Sequence, residues 1–468
     1  MAAQDNSTPD IESASLEHFR LKGMEQGRLT GVSIAVHGIS DAFLLMHCGV
    51  GCKHKATSQL STHDWGRGVV EREGWTEVGD AELIAGASDR IGPYLRSWVK
   101  RVDPGLVIVI AVTFLELTGE DTRSVVSEEA HTVDCPVVYV DALGTHGDLH
   151  YGFASVIAEL ARKLDWSQPP AKPKEVGILG YLFDRYEGDH AGNLAQLKRL
   201  VGDLGLTLGP VLMSGRPWRD LQKVTDSGLL VQLPYAEPRG KVLRRLAKKG
   251  RRALVATDLP MGLRGSTRWL RQVGRAAGLE DRNIQLRAAA REQGVRVRLA
   301  PFLNRLRGQQ VAVFADLPLL AGILAVMEDL GMDVRLAGIR GSSFGGAEAL
   351  REALGRMGTT VPDRMQIVEN ISLEAVRNTV GPLLGELDGI FASAAELNVL
   401  GTLPQEAFLQ PDGGEPRATG PFVLEVGFPC KRFHAAMPMP MMGHAGVLTW
   451  AQRIVEAPRV WDSGLAMR

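Results

Sequence analysis

Cysteine is scarce here. Four thiols in 468 residues are far too few to staple a fold with disulfides, and they point to a reducing compartment, the cytoplasm. An excess of one charge is also missing. Lys and Arg number 53 against 54 Asp and Glu, a formal net charge of −1, which argues against a protein built to grip nucleic acid. Long apolar runs are absent. The longest, Leu106 to Val112 with its flanks, stops well short of the ~20 residues that span a bilayer, so no membrane association is expected. Residues 1–15 are polar and acidic, without the basic start and apolar core of a signal peptide; they read as a flexible N-terminus. There is no G-x-x-x-x-G-K-S/T loop, so any ATP hydrolysis must occur on another protein. Gly177, Gly180 and Gly188 do not form G-x-G-x-x-G, and nicotinamide binding is unsupported.

What is present is the composition of a globular protein, 45% apolar and 23% charged, long enough for about three domains of ~150 residues. Short, continuous β-branched runs followed by a turn and an amphipathic helix recur along the chain, the pattern of parallel strands buried on both faces. Leu106–Val112 and Val137–Val140 are the clearest in the first part, with Gly119-Glu-Asp121 opening a helix between them. Trp166-Ser-Gln-Pro-Pro-Ala-Lys-Pro-Lys174 breaks both helix and strand. A second unit follows, with strands at Val176–Gly180, Leu229–Leu233 and Ala253–Ala256, a loop through Gly188-Asp189, and a helix over 194–204. A third opens with Val311–Phe314, a helix over about 319–330 closed by Gly331, and strands at 334–336, 387–391 and 422–426. The expected fold is α/β: three Rossmann-like domains with parallel sheets around a central cleft. Their expected limits are 16–166 with a cysteine loop, a linker at 167–174, 175–305, and 306–468 with the C-terminal segment. Ligands of such sheets sit beyond the C-terminal strand ends, so the site belongs where those ends converge.

The most informative segment is His47-Cys-Gly-Val-Gly-Cys52. Two thiols among glycines, on a tight loop after the apolar run Ala42–Met46, suit a soft metal or an iron–sulfur centre. A pair of small buried thiols or a redox pair reads the same spacing, and zinc would want two more ligands. Cys135, before a strand, reads as a core cysteine. Cys430, on a loop after a strand, is compatible with burial or with a place near the site. His146 and His150 are four apart, but no third ligand stands near, and Asp148 reads as a helix start. The eight basic residues of 239–252 read as a solvated helix face, with docking of an acidic electron donor as the secondary reading. Met437–Met442 suits an apolar pocket or a subunit contact.

Taken together these segments resemble the nitrogenase component-1 superfamily, and its β-type subunits in particular, along nearly the whole chain. Gly38-Ile, Met46-His47 and Gly51-Cys52 resemble the family's cluster-ligand segment. Thr118–Asp121 resembles its Gly-Asp-Asp helix start. Asp258–Gly262 through Thr267 and Trp269-Leu270 resemble its second-domain segment, and Leu306–Gly308 with Val311–Asp316 the opening of its third. Gly427-Phe-Pro429, His434 and Gly443-His-Ala-Gly446 resemble its C-terminal signature. The departures are informative too. Of the family's three interface cysteines only Cys52 matches; the others fall at Gly27 and at about Thr113, while Cys48 stands where glycine is usual and is read as a replacement ligand. Leu233 offers no thiol near the position where α subunits place their cofactor cysteine.

The resemblance implies a β-type subunit of a nitrogenase-like reductase. An α-like component-1 partner, in an α2β2 assembly, would share a [4Fe–4S] cluster held here by Cys52 and Cys48. A separate ATP-dependent iron–sulfur protein would deliver electrons, and a small-molecule substrate would sit in the cleft. His434 and His444 are the expected cleft-lining or proton-donating groups, with ordinary structural roles as the alternative. The rival function is a metallocluster-assembly scaffold without substrate turnover; a third reading is a partner that has lost its cluster.

Overall fold

The computed structural model describes residues 26–65, 72–112, 115, 118–141, 147–403 and 420–459, without the side chains of 50–56. The expected N-terminal segment 1–15, Thr113 and His146 lie outside the described residues. Three sheets, every neighbouring pair of strands parallel, organise the chain. The first contains β1 (Ala42–His47), β2 (Glu73–Trp75), β3 (Leu106–Ala111) and β4 (Val137–Tyr139) in the order β2-β1-β3-β4. In the second, β5 (Lys172–Leu179), β6 (Thr207–Val211), β7 (Ser227–Gln232) and β8 (Ala253–Ala256) run β6-β5-β7-β8. The third orders β9 (Gln310–Asp316), β10 (Asp333–Arg340), β11 (Gln366–Val368), β12 (Gly389–Ala392) and β13 (Phe422–Glu425) as β11-β10-β9-β12-β13.

The unbroken apolar runs follow from cover on both faces of each sheet. Along β1 and β3, Phe43, Leu45, Val107 and Val109 enter one buried cluster, while Leu44, Met46, Ile108 and Ile110 enter another on the opposite face. The third sheet repeats this: Ala312 and Phe314 pack on one side, Val311 and Val313 on the other. Since successive side chains alternate across a strand, a strand covered on both faces must be apolar at every position.

Local punctuation follows the chemistry of the caps. Asp121 accepts from Ser124 N–H at the start of the helix Thr122–Glu129. Asp148 accepts from His150 and Tyr151 N–H at the start of Leu149–Lys163. Gly331 ends Leu317–Leu330 at φ 68°, a left-handed conformation natural to glycine. Two expectations shift. β5 begins at Lys172, inside the proline-rich stretch, and its register breaks between Lys172 and Val176, around Pro173, which has no N–H to give the ladder. The expected loop at Gly188-Asp189 is instead the first turn of the helix Gly188–Asp203. Gly188 is needed there because a Cβ would stand 2.0 Å from the Met437 carbonyl oxygen of a crossing segment.

Among the described residues, no helix is long and apolar enough to cross a membrane.

Candidate functional site

The C-terminal strand ends of the second and third sheets meet around an interdomain cavity of about 110 Å³. Asp184, Arg185, Asp189 and His190 come from the segment after β5, and Tyr235 from the turn after β7. Asp316 closes β9 and Glu425 closes β13, with Cys430 just beyond. The first domain contributes His63, the last residue of the helix Val50–His63. Leu259, Met261, Leu319, Met442 and Trp450 supply apolar lining.

Asp184 stands between two imidazoles. His190 Nε2 lies 2.6 Å from Asp184 Oδ1, and its Nδ1 lies 2.7 Å from the Tyr181 hydroxyl. On the other side, His63 Nε2 is 3.1 Å from Asp184 Oδ2, close but not aligned for a hydrogen bond. His63 Nδ1 lies 2.8 Å from the Cys430 backbone N–H, which donates to it, and 3.2 Å from the Cys430 carbonyl; with the shorter bond accepted at Nδ1, the proton of a neutral ring sits on Nε2, facing Asp184. Burial opposes ionisation of Asp184, but the neighbouring His63 and the hydrogen-bonded His190 outweigh it and hold its carboxyl well below the usual range. Burial also opposes a charged His190; Asp189 and Asp184 prevail and raise its pKa. A largely buried imidazole–carboxylate pair beside a second imidazole can give up and take back protons at the wall of the cavity.

A second cluster lies beside it. Glu425 Oε2 accepts from the N–H groups of Lys431, Arg432 and Phe433 at 2.9, 2.6 and 3.2 Å, and from the Cys430 thiol at 3.1 Å. Burial and the Glu425 charge push that thiol up to about 12. Arg453 lies under the Phe433 ring, its guanidinium carbon 3.6 Å from the centroid, and burial brings its pKa down to about 10. Arg185 binds Asp189, its Nε 3.0 Å from Oδ2. Glu425 Oε1, Asp189 Oδ1 and Arg453 Nε are buried and have no hydrogen-bond partner.

The residues singled out from sequence are spread over several places. Cys48 follows β1 with no exposed surface, inside the apolar core of the first domain. Cys52 lies in the first turn of the helix Val50–His63 rather than on an open loop; its side chain is outside the described residues. Cys135, expected in the core, is half-buried on the segment leading into β4, at the end of the first sheet opposite Cys48. His434 and His444 do not line the cavity. His434 stacks on Trp65, ring centroids 3.6 Å apart at 16°, and its Nδ1 lies 2.7 Å from Glu187 Oε1. His444 occupies a separate crevice of about 220 Å³ with residues of the helices Gly188–Asp203 and Asp281–Leu306. There its Nε2 lies 3.0 Å from Thr267 Oγ1, and burial brings its pKa down to about 4. Within the Arg239–Arg252 stretch the helix Gly240–Lys249 presents a solvated face, with only Gly240, Leu243 and Ala247 buried; Arg252, beyond it, is buried and donates to the Thr225, Gly250 and Gln168 carbonyls.

Sequence reasoning missed His63, Asp184, His190 and Glu425. The available signal was their placement: Asp184 and His190 follow a fully apolar strand end, and Glu425 ends another, where the sheet topology puts ligands.

Among the described residues no group of three or more His, Cys, Asp or Glu is placed to hold a metal ion. Cys430 is engaged with Glu425, and Cys135 is at the wrong end of its sheet. Among the described residues the thiols do not come together as a four-thiolate centre held by this chain alone.

Comparison with known proteins agrees with this architecture. The model of the family described as nitrogenase component 1 type oxidoreductase matches residues 28–396. The chain is 22% identical to the nitrogenase iron-molybdenum cofactor biosynthesis protein NifE of Klebsiella pneumoniae, over 69% of this chain and 72% of the relative. It is 23% identical to a light-independent protochlorophyllide reductase subunit of Heliobacterium modesticaldum, over 56% of this chain and 50% of that protein. A solved structure of nitrogenase Cp1 at pH 6.5 superposes with a TM-score of 0.71 at 15% identity, covering 92% of each chain, a likeness of fold.

Proposed function

Because the chain belongs to the nitrogenase component 1 type oxidoreductase family, we propose that it is a β-type subunit of a nitrogenase-like reductase whose substrate is reduced in the interdomain cavity. The observation that carries this reading is the Asp184, His63 and His190 group: reduction consumes protons as well as electrons, and here titratable groups from two domains face one interdomain cavity.

Cys52, with Cys48 as second thiol, would hold this chain's share of an iron–sulfur cluster completed by an α-like partner in an α2β2 assembly; when bound, the cluster supplies low-potential one-electron transfer. A separate ATP-dependent iron–sulfur protein would be the electron source. The chain's own part is positional. Cys52 and His63 occupy opposite ends of one helix, about 16 Å apart at 1.5 Å per residue, so one rigid element connects the thiol segment to the cavity. His63 Nε2–H and His190 hold protons at the polar wall, Asp184 fixes the His190 ring and faces His63 at 3.1 Å, and Leu259, Met261 and Trp450 make the apolar part of the lining.

The second reading is a metallocluster-assembly scaffold, favoured by the likeness to NifE, a cofactor biosynthesis protein. Purified anaerobically with its partner, reductase and ATP, the assembly should consume a small reducible substrate with the stoichiometry of electrons delivered. Cluster transfer to an acceptor apoprotein without any turnover would replace the first reading by the second, and an assembly free of iron and sulfide would overturn both.

A further inference from the structure

His444 stands in a crevice of about 220 Å³ among three helices, Gly188–Asp203, Asp281–Leu306 and Gly443–Val455, apart from the interdomain cavity. Three arginines line it, Arg199, Arg291 and Arg298, against one carboxylate, Asp203. Asp203 is committed to Arg291, whose Nε and one terminal nitrogen reach its two oxygens at 3.1 and 2.8 Å. Arg199 and Arg298 are exposed and have no ion-pair or hydrogen-bond partner among the described residues. Two positive charges are thus unmatched. The start of the helix Gly443–Val455 presses on the same space: a Cβ on Gly443 would stand 2.8 Å from Gln196 Oε1, and neither a side-chain cap nor an acidic residue occupies its first turn.

The proton on His444 can be placed. Thr267 has one hydroxyl proton, and it goes to Glu292 Oε1 at 2.5 Å, because a carboxylate only accepts. Thr267 Oγ1 is therefore the acceptor for His444 Nε2–H at 3.0 Å. Burial keeps the ring neutral, its pKa brought down to about 4, so Nδ1 carries the lone pair. That nitrogen makes no hydrogen bond among the described residues and is not sealed off from the crevice that the ring lines.

We infer that this crevice binds a small oxyanion that still carries a proton, inorganic phosphate. Arg199 and Arg298 donate to its unprotonated oxygens, as guanidinium groups do to phosphate, and its P–OH donates to His444 Nδ1. The two requirements select together. Unmatched guanidinium groups and an uncapped helix start call for an anion, while the imidazole lone pair calls for a donor and repels a bare oxygen. Inorganic phosphate keeps at least one proton at neutral pH and meets both. Sulfate keeps none, and a phosphate monoester, with its second pKa near ~6, has mostly lost the proton by then. At roughly 30 Å³ for a water, the crevice takes a five-atom ion and a few waters. Nothing in this assignment depends on the chemistry of the interdomain cavity.

Inorganic phosphate is the probe, titrated calorimetrically at neutral pH into the purified full chain in the assembly it forms. Saturable binding of one phosphate per chain is expected, weaker by about tenfold or more in Arg199→Gln and in Arg298→Gln, the loss of one hydrogen bond to a charged group each. Sulfate should bind wild type at least about tenfold more weakly than phosphate. The proposal is overturned by absence of saturable phosphate binding, by unchanged affinity in both arginine variants, or by sulfate binding as tightly as phosphate. Both arginines are exposed, and circular dichroism verifies that the variants are folded. The comparison of the two anions uses wild type alone and decides the matter should either variant fail to fold.

Discussion

His63 and Cys430, 367 residues apart in sequence, meet directly: the backbone N–H of Cys430 donates to His63 Nδ1 at 2.8 Å. This bond joins the last residue of a first-domain helix to the loop after the final strand of the third domain. It leaves the other ring nitrogen of His63 turned toward Asp184 of the second.

That geometry makes His63 a test of function. His63→Gln should lower substrate turnover by about 10²-fold or more, the usual contribution of a positioned proton donor, while the iron content of the assembly stays the same. Turnover by the purified complex and iron analysis on the same preparation check both halves. Unchanged turnover would remove His63 from the reaction.

Asp184 should matter for stability as well. Asp184→Asn takes the negative charge from between two buried imidazoles and is expected to cost about 3–5 kcal/mol, as breaking a buried pair does. Urea unfolding followed by circular dichroism measures it.

The same pair sets a dependence on pH. The lowered pKa of Asp184 means that its contribution is complete above the ordinary carboxylate value of 3.8 and is lost as pH falls through the folded value. The raised pKa of His190 means that its contribution is complete below the ordinary 6.5 and is lost as pH rises through the folded value. The pair therefore stabilises the protein most between about pH 4 and 6.5. In Asp184→Asn both limbs of the stability profile should flatten, which melting temperatures recorded across pH will show.

Thiol chemistry should separate the cysteines. Cys430, enclosed and with its pKa pushed up to about 12, is expected to resist iodoacetamide until the protein unfolds, because the thiolate is the reactive form. Half-buried Cys135 should label ahead of Cys430. Mass spectrometry of timed aliquots gives the order.

Cluster retention should separate them again. Cys52→Ala is expected to abolish the iron-dependent absorption and EPR signal of the assembled complex, and Cys135→Ala to leave both intact. If the Cys52 variant retains the signal, the ligand assignment fails. Behaviour of Cys48→Ala like wild type would leave one thiol from this chain.

Much of the fold could be read from residues whose surroundings leave little choice. Leu106–Ala111 is apolar at every position because helices cover both faces of its sheet, and Asp121, Asp148 and Gly331 mark helix ends by local chemistry alone. The candidate site was less legible because it is assembled from distant segments. Nothing near His63 in sequence announces Asp184 or Cys430, and the helix ending at His63 gave no hint of which domain it would face. His434 and His444 stood close together in sequence, yet the C-terminal segment carries one to the rim beside Trp65 and the other into a crevice between helices. Spacing along the chain could not anticipate that parting.

The segment between the third sheet and the C-terminal helix is laced to the second domain through main-chain and Asn193 bonds. Gly188 N–H donates to the Ala435 carbonyl at 2.7 Å, Met439 N–H to the Gly188 carbonyl at 3.0 Å, Met441 N–H to Asn193 Oδ1 at 2.7 Å, and Gly443 N–H to the Pro260 carbonyl at 2.6 Å. Such a seam ties the two lobes together along one side and opposes their swinging apart as the halves of a clamshell do. A guest bound for the small chamber beneath must slip past side chains at its rim or be enclosed while the chain is still knitting itself shut, and the second route would make maturation, rather than breathing, the step that governs loading.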